Sequence, residues 1–372
     1  MTVALFSPIT LGGLTLPNRI AVSPMCQYSA VDGSANDWHL AHLTQLAVSG
    51  AGLLTIEATA VSAQARITLG CLGLYSDANE AALARVIAAC RRFGQTPMGI
   101  QLAHAGRKGS AHVPWKGGGP LKAAEGAYAT VAPSAVSFAD GWHTPHELDA
   151  KGMAQILGDF VAAARRSERL GLDLVELHMA HGYLLQQFLS PLSNRRRDAY
   201  GGDLANRMRF PLEVFAAVRA VWPRAKALGA RINGTDWIDE GWTTDDAVAL
   251  ARALKDRGCD YVCVSGGGTS ASARPPVAPG YQVPMAERIR RESGITTRAV
   301  GMILTPAQAQ AIVAEGRADM VALARAFLDD PRWAWHAAEA LGAKAAYPPQ
   351  YERTRAELWP GARVIRPAVA AE

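Results

Sequence analysis

The chain is poor in cysteine. Five are present, at Cys26, Cys71, Cys90, Cys259 and Cys263, an odd and scattered set with no Cys-x-x-Cys unit. That spacing disfavours a zinc ribbon or an iron–sulfur cluster and favours a reduced, cytoplasmic setting. No apolar run reaches the ~18 residues of a membrane span. Met1–Thr10 lacks the basic and apolar regions of a secretory leader. Charge of one sign is not concentrated either: the net charge is +5 and the only basic run is Arg195-Arg196-Arg197. No nucleic-acid stripe is read from that pattern, and the run reads as a solvated loop. No Gly-x-Gly-x-x-Gly unit follows a strand, so a Rossmann nicotinamide domain is not expected.

What is present is apolar and periodic. Hydrophobic residues make up 49% of 372 and charged residues 19%, enough to bury a large core and to argue against disorder. Short apolar runs alternate with longer amphipathic ones. The expected strands are Ile20–Ser23, Leu53–Ala58, Met98–Leu102, Asp173–His178, Ala230–Asn233, Tyr261–Ser265, Thr297–Gly301 and Met320–Ala324. The expected helices are Asp37–Ser49, Ala78–Phe93, Asp149–Leu170, Leu204–Val221, Thr244–Arg257, Val283–Glu292, Pro306–Glu315 and Pro331–Leu341. In the fifth, Ala247, Leu250, Ala251 and Leu254 share one face, Thr243 or Thr244 can cap the start, and Gly258 can end it. The strands are nearly continuous apolar runs, as parallel strands buried on both faces must be. Eight βα units predict an α/β fold, a (β/α)8 TIM barrel over residues 1–341, with an open doubly wound sheet as the alternative.

Three segments fall outside the repeat. Ile9–Leu16 alternates around Gly12-Gly13 and predicts an N-terminal hairpin plugging the barrel bottom. Ala103 to Leu148, after the third strand, is long enough to be functional and reads as a hairpin or lid over the mouth. Residues 342–372 form a C-terminal arm, expected along the surface or at a subunit interface.

In a TIM barrel the site lies at the C-terminal ends of the strands, and the polar residues gather there. Those ends carry Ser23-Pro24-Met25-Cys26-Gln27-Tyr28, Glu57-Ala58-Thr59, Gln101 with His104, and His178, His181 and Tyr183. Later strands carry Arg231 and Asn233, Ser265-Gly266-Gly267-Gly268-Thr269, Gly301-Met302 and Ala324-Arg325. Neutral imidazoles at His178 and His181 can donate to one oxygen, and the Tyr183 phenol can supply a proton: equipment for polarising a carbonyl. Two histidines at that spacing are otherwise core or surface residues. A metal is disfavoured, because no Asp, Glu or Cys beside them completes a ligand set. His39 and His42 share the spacing and read as structural. Arg231, inside an apolar strand, needs an anionic or polar partner, and a cofactor would serve. The glycines after the sixth strand, with Arg325, form either a phosphate cradle or a flexible loop beside a surface arginine.

These residues resemble the old yellow enzyme family of flavin-dependent ene-reductases, in its bacterial thermophilic-like branch. The carriers are Pro17-Asn18-Arg19, Ser23–Tyr28, Gln101–Arg107, His178–Tyr183, Leu189–Asn194 and Arg197–Gly202, and the likeness spans essentially the whole chain. The resemblance implies a barrel holding one non-covalent FMN, reduced by NADPH or NADH and reoxidised in the same pocket by an enone or nitro substrate. The alternatives are another FMN barrel, dienoyl-CoA-reductase-like, and a non-redox phosphate-binding barrel aldolase or isomerase, which would need a lysine or a carboxylate base at a strand end. It implies that Ser23, Pro24, Met25 and Cys26 line the flavin, with Cys26 tuning its potential. Ala58 would touch the ring through its backbone, Gln101 would bond the pyrimidine edge, Arg231 would face the N1/C2 side, and Gly267, Gly301, Ala324 and Arg325 would form the phosphate side. His178 and His181 would bind the substrate oxygen while hydride arrives from flavin N5, and Tyr183 would protonate the α-carbon. Tyr28 and Met302 would shape the substrate pocket. Arg353 would reach the site of a neighbouring subunit in a homodimer or homotetramer. Ala324 stands where this branch often has glycine, and Met302 where some relatives have tryptophan.

Overall fold

In the computed structural model, which describes residues 3–365, eight parallel strands close into a barrel. They are β1 (Ile20–Val22), β2 (Leu53–Ala60), β3 (Met98–Ala103), β4 (Leu174–Met179), β5 (Ala227–Asn233), β6 (Tyr261–Ser265), β7 (Thr297–Ala299) and β8 (Met320–Leu323). Each pairs with the next, and β8 returns to β1 in the register Val321 to Ile20. That last pairing settles closure, which the strand count had left open between a barrel and an open sheet. The outer helices are α1 (Asp37–Ala47), α2 (Asp77–Phe93), α3 (Ala150–Arg169), α4 (Leu204–Val221), α5 (Thr244–Asp256), α6 (Val283–Ser293), α7 (Pro306–Ala314) and α8 (Trp333–Leu341).

Local chemistry accounts for these elements. Thr243 caps α5 by accepting from the Asp246 N–H, and Asp246 reaches back in a capping box. Asp149 caps α3, whose buried Met153, Ile156, Phe160, Ala163 and Ala164 recur at helical spacing.

The strands alternate between two environments. Along β4, Val175, Leu177 and Met179 face the helices, while Leu174, Glu176 and His178 point inward. The barrel interior is therefore layered. At the bottom, Leu53, Leu174, Ala227, Tyr261 and Met320 pack with Leu11 and Leu16 of the N-terminal hairpin. Ile9–Leu11 and Leu14–Leu16 pair antiparallel, so the expected plug is present. Burying each of those two leucines contributes about 1.5–3 kcal/mol. The middle layer holds an ion pair between Glu176 and Arg298, both fully buried. The top layer holds Gln101, His178, Arg231 and Ser265.

The long segment after β3 departs from expectation. It is not a hairpin: Val131–Ala132 and His146–Glu147 pair in parallel, and the rest is turns. Arg196 anchors it, which corrects the reading of Arg195–Arg197 as a solvated loop at that one residue; Arg195 and Arg197 are exposed. The Arg196 side chain is 7% exposed, pairs with Asp198, and donates to the carbonyls of Pro133 at 3.0 Å and Leu148 at 2.6 Å.

The arm runs through a 3-10 turn, Pro349–Thr354, and is held by Tyr347, whose ring lies 4.4 Å from that of Trp335 on α8. Its last residues, 366–372, lie outside the described residues. Among the described residues no helix is long and apolar enough to cross a membrane.

Candidate active site

β4 delivers the central group. His178 follows the inward Glu176, and the chain then turns through His181, whose φ is +59°, and Gly182 before a short buried helix, Leu184–Leu189. This turn folds three rings together: the His178 centroid lies 5.1 Å from His181 and 4.9 Å from Tyr183. Left-handed backbone at a histidine is strained and must be held. The Asn233 Oδ1 accepts from the His181 N–H at 3.0 Å, and the Lys108 Nζ donates to the His181 carbonyl at 2.8 Å. The Gly182 conformation, φ +71°, matters for space: a Cβ there would sit 2.2 Å from the Gly268 carbonyl.

Protonation follows from hydrogen bonds and burial. Burial, reinforced by Arg231, holds both histidines well below the usual imidazole range, so they are neutral at pH 7. The His178 Nδ1 accepts from the Ala180 N–H at 3.2 Å, which places the ring proton on Nε2 as a free donor. His181 uses Nε2 against the Ser265 Oγ at 2.8 Å, which leaves Nδ1 without a hydrogen-bond partner among the described residues. Burial raises Tyr183 far above the ordinary phenol range, so it keeps its proton. Two neutral rings and a protonated phenol converge, as the residue types predict.

The loop after β1 forms one wall. Ser23 is buried and donates its N–H to Leu323 on β8. Pro24, Met25, Cys26 and Tyr28 are half-buried, and Tyr28 has φ +50°. Burial, with Glu57 adding to it, pushes the Cys26 thiol up, so it is a thiol and not a thiolate. Glu57 sits at a β-bulge between Ile56 and Ala58, which turns its carboxylate onto the Gln27 N–H at 3.0 Å and toward the His39 Nε2 at 3.5 Å. His39 is thus structural, as expected, but it steadies a loop of the site.

Ala58, Gln101 and Glu176 are neighbours across β2, β3 and β4. Arg231 lies beside His178 across β5 and β4. Its Nε is buried and unpartnered, and the side chain makes no ion pair or hydrogen bond among the described residues. Such a guanidinium fits a bound anionic or carbonyl-rich group. Gly267 and Gly301 have φ of +78° and +103°, and Met302 has φ +50°. Ala324 and Arg325 begin the short helix Arg325–Asp329, where Arg325 is exposed and unpaired among the described residues. Arg353 is not brought to this mouth within one chain: it is exposed on the turn whose neighbouring Tyr351 packs toward Trp335.

Sequence reasoning missed three contributors. Lys108 directly follows the Gln101–Arg107 motif. Its ammonium donates to His181 and Gly268 at 2.8 Å each, lies 5.0 Å from the Tyr183 ring centre, and burial lowers it to about 8. Ser265 was read only as a loop start, and Glu57 only as a strand-end polar residue. An aldolase-like barrel would need a free lysine nucleophile, whereas Lys108 is committed to two carbonyls.

A closed parallel barrel whose mouth offers oxygen-binding donors, a proton and an unpaired cation is built to hold an anionic or carbonyl-rich group. The family is specific: the chain belongs to the NADH:flavin oxidoreductase / NADH oxidase family, whose model matches residues 4–343. Members of this family bind FMN, and the unpaired Arg231 is the residue here that such a group suits best. The chain is 43% identical over 355 residues to an NADPH dehydrogenase of Geobacillus sp. (strain WCH70), covering 95% of this chain and 99% of the relative. It is 40% identical over 356 residues to NADPH dehydrogenase of Bacillus subtilis (strain 168), with the same coverage of each. Among solved structures, morphinone reductase in complex with tetrahydroNAD superposes with a TM-score of 0.75 at 29% identity, covering 93% of each chain. A 2-naphthoyl-CoA reductase superposes with a TM-score of 0.82 at 24% identity, but this chain spans only 53% of it, so it speaks to the fold alone.

Proposed function

We propose that the protein is an FMN-dependent, NAD(P)H-driven ene-reductase acting on C=C bonds activated by a carbonyl or nitro group. The carrying observation is the pairing of two neutral imidazoles with a protonated phenol at one strand end. FMN, when bound, supplies the centre that takes hydride from NAD(P)H and gives it to the alkene. His178, through Nε2–H, and His181, through Nδ1–H, hold the substrate oxygen. Their donors draw electron density from the β-carbon and stabilise enolate charge. Tyr183 gives its Oη proton to the α-carbon and regains one from solvent.

Ser23, Pro24, Met25, Cys26, Ala58, Gln101 and Arg231 would hold the flavin ring, with Gly267, Gly301, Ala324 and Arg325 on the phosphate side. Tyr28 and Met302 would bound the substrate. The free state of all five cysteines supports a reduced, cytoplasmic setting. The C-terminal arm, with exposed Tyr351, Leu358 and Trp359, supports a homo-oligomer in which Arg353 of one copy meets another's site.

Purified protein is expected to be yellow, to bleach with NADPH, and to recover with cyclohexenone. A colourless protein that takes up no added FMN would refute this reading.

A further inference from the structure

Beneath the mouth lies a buried polar cluster of which the reaction as described uses only Gln101. The Glu176 Oε2 accepts from the Tyr261 hydroxyl at 2.8 Å and from Arg298, and its Oε1 accepts from the Gln101 Nε2 at 2.7 Å. Glu176 and Arg298 are fully buried, and Gln101 is 2% exposed. The Arg298 guanidinium also lies 4.8 Å from the Tyr261 ring centre. The fold makes room for this: a Cβ on Gly229 would fall 2.1 Å from the Tyr261 ring, so only glycine there admits the ring that donates to Glu176. Burying four polar groups is costly unless each is satisfied; here Glu176 takes three donors, while the Arg298 Nε and Nη1 have no hydrogen-bond partner among the described residues. What the arrangement settles is the direction of one amide. An ionised carboxylate accepts and cannot donate. Gln101 must therefore turn its NH2 group down to Glu176, and its carbonyl oxygen faces up with no protein partner among the described residues.

We propose that Glu176, held by Arg298 and Tyr261, is a positioning residue that locks the Gln101 carbonyl toward the mouth as an acceptor for the imide N3–H of the flavin ring. This rests on the reading of Gln101 as a flavin contact. The second Gln101 N–H remains able to donate to a flavin carbonyl beside N3. Arg298 has a second duty: it neutralises Glu176, so the lock adds no net charge beneath a cofactor that becomes anionic on reduction.

The lock makes a specific demand. In Glu176→Gln the single amide oxygen satisfies Tyr261 and Arg298, and the new NH2 confronts that of Gln101. Gln101 then flips and opposes the flavin N3–H with a donor. A hydrogen bond is lost and a donor is left unpaired, so the Kd for FMN rises about tenfold or more. Adding Gln101→Glu supplies an acceptor to both sides and restores the N3–H hydrogen bond, an outcome that lost packing alone would not give, while affinity stays weak because a carboxylate has no N–H for the neighbouring flavin carbonyl.

The experiment uses 15N-labelled FMN on the full chain, with FMN affinity from flavin fluorescence and the N3–H resonance from NMR. The expected result is a downfield, exchange-protected N3–H in the wild type, weaker binding with an upfield shift in Glu176→Gln, and recovery of the downfield resonance in the double variant. Unchanged affinity and shift in Glu176→Gln, or no recovery of the resonance in the double variant, overturns the lock. The wild-type resonance keeps the lock refutable even if Glu176→Gln does not fold: a wild-type N3–H without a hydrogen bond also overturns it. A wild type that binds no FMN overturns the flavin reading itself, so the two failures are distinguishable.

Discussion

Ser265→Ala probes the tautomer of His181 without touching either histidine. The Ser265 Oγ lies 2.8 Å from the His181 Nε2. When that hydroxyl donates, the ring proton is confined to Nδ1, the nitrogen without a protein partner. Without the hydroxyl the proton is shared between the two nitrogens, and His181 opposes a substrate oxygen with a lone pair part of the time. The loss is one neutral hydrogen bond, about 0.5–1.5 kcal/mol, or roughly 2- to 12-fold in affinity. Spectral titration of the oxidised enzyme with a para-substituted phenol reads this directly, with flavin content as the control. A double-mutant cycle makes it sharp. In a His181→Ala background, Ser265→Ala is expected to change nothing further. Additive losses would show that Ser265 does not act through His181, and wild-type affinity in the single variant would refute the tautomer argument outright.

Three other perturbations test separate parts of the site. Tyr183→Phe keeps the ring that packs on His178 but removes the proton; stopped-flow reoxidation by an enone should slow by about 10²- to 10⁴-fold while reduction by NADPH is unchanged, and normal reoxidation would exclude Tyr183 as the acid. His178 and His181 stay neutral in the folded protein while the unfolded chain takes up protons below about 6.5, so they cost stability as pH falls through that range. Urea unfolding at pH 7 and pH 5 should show a smaller acid loss for His178→Asn/His181→Asn than for wild type, and equal losses would mean the rings titrate normally. Arg196→Ala should destabilise the chain by about 2 kcal/mol through two lost carbonyl contacts, with proteolysis concentrated in residues 104–149; an intact segment under limited trypsin digestion would contradict its anchoring role.

The barrel was legible because its signals are local. Apolar runs bounded by turn residues mark β1 to β8, and the Thr243 cap and the Gly12-Gly13 hairpin follow from a few adjacent residues. The His178–His181–Tyr183 group was legible because a strand end puts neighbours in sequence into one place. What escaped depends on partners far along the chain. Glu176 looks like an interruption of an apolar strand until Arg298, 122 residues later, is seen to face it. Lys108 reads as a surface residue until His181 and Gly268 close over it. Arg196 looks solvated until Pro133 and Leu148 are brought to its guanidinium. Charge in such places carries no periodic signature, since what matters is the partner and not the spacing.

The plug at the barrel floor has a consequence for the order in which the molecule is made. Leu11 and Leu16 leave the ribosome long before Tyr261 and Met320, with which they pack. Tyr261 follows Leu16 by 245 residues, a wait of roughly 12–50 s at ordinary synthesis rates. The barrel cannot close before β8 exists to meet β1. Through that interval a greasy hairpin and an unpaired β1 edge stand open, so the nascent chain is exposed to mispairing until β8 emerges, and the hairpin is among the last parts of the barrel to be protected.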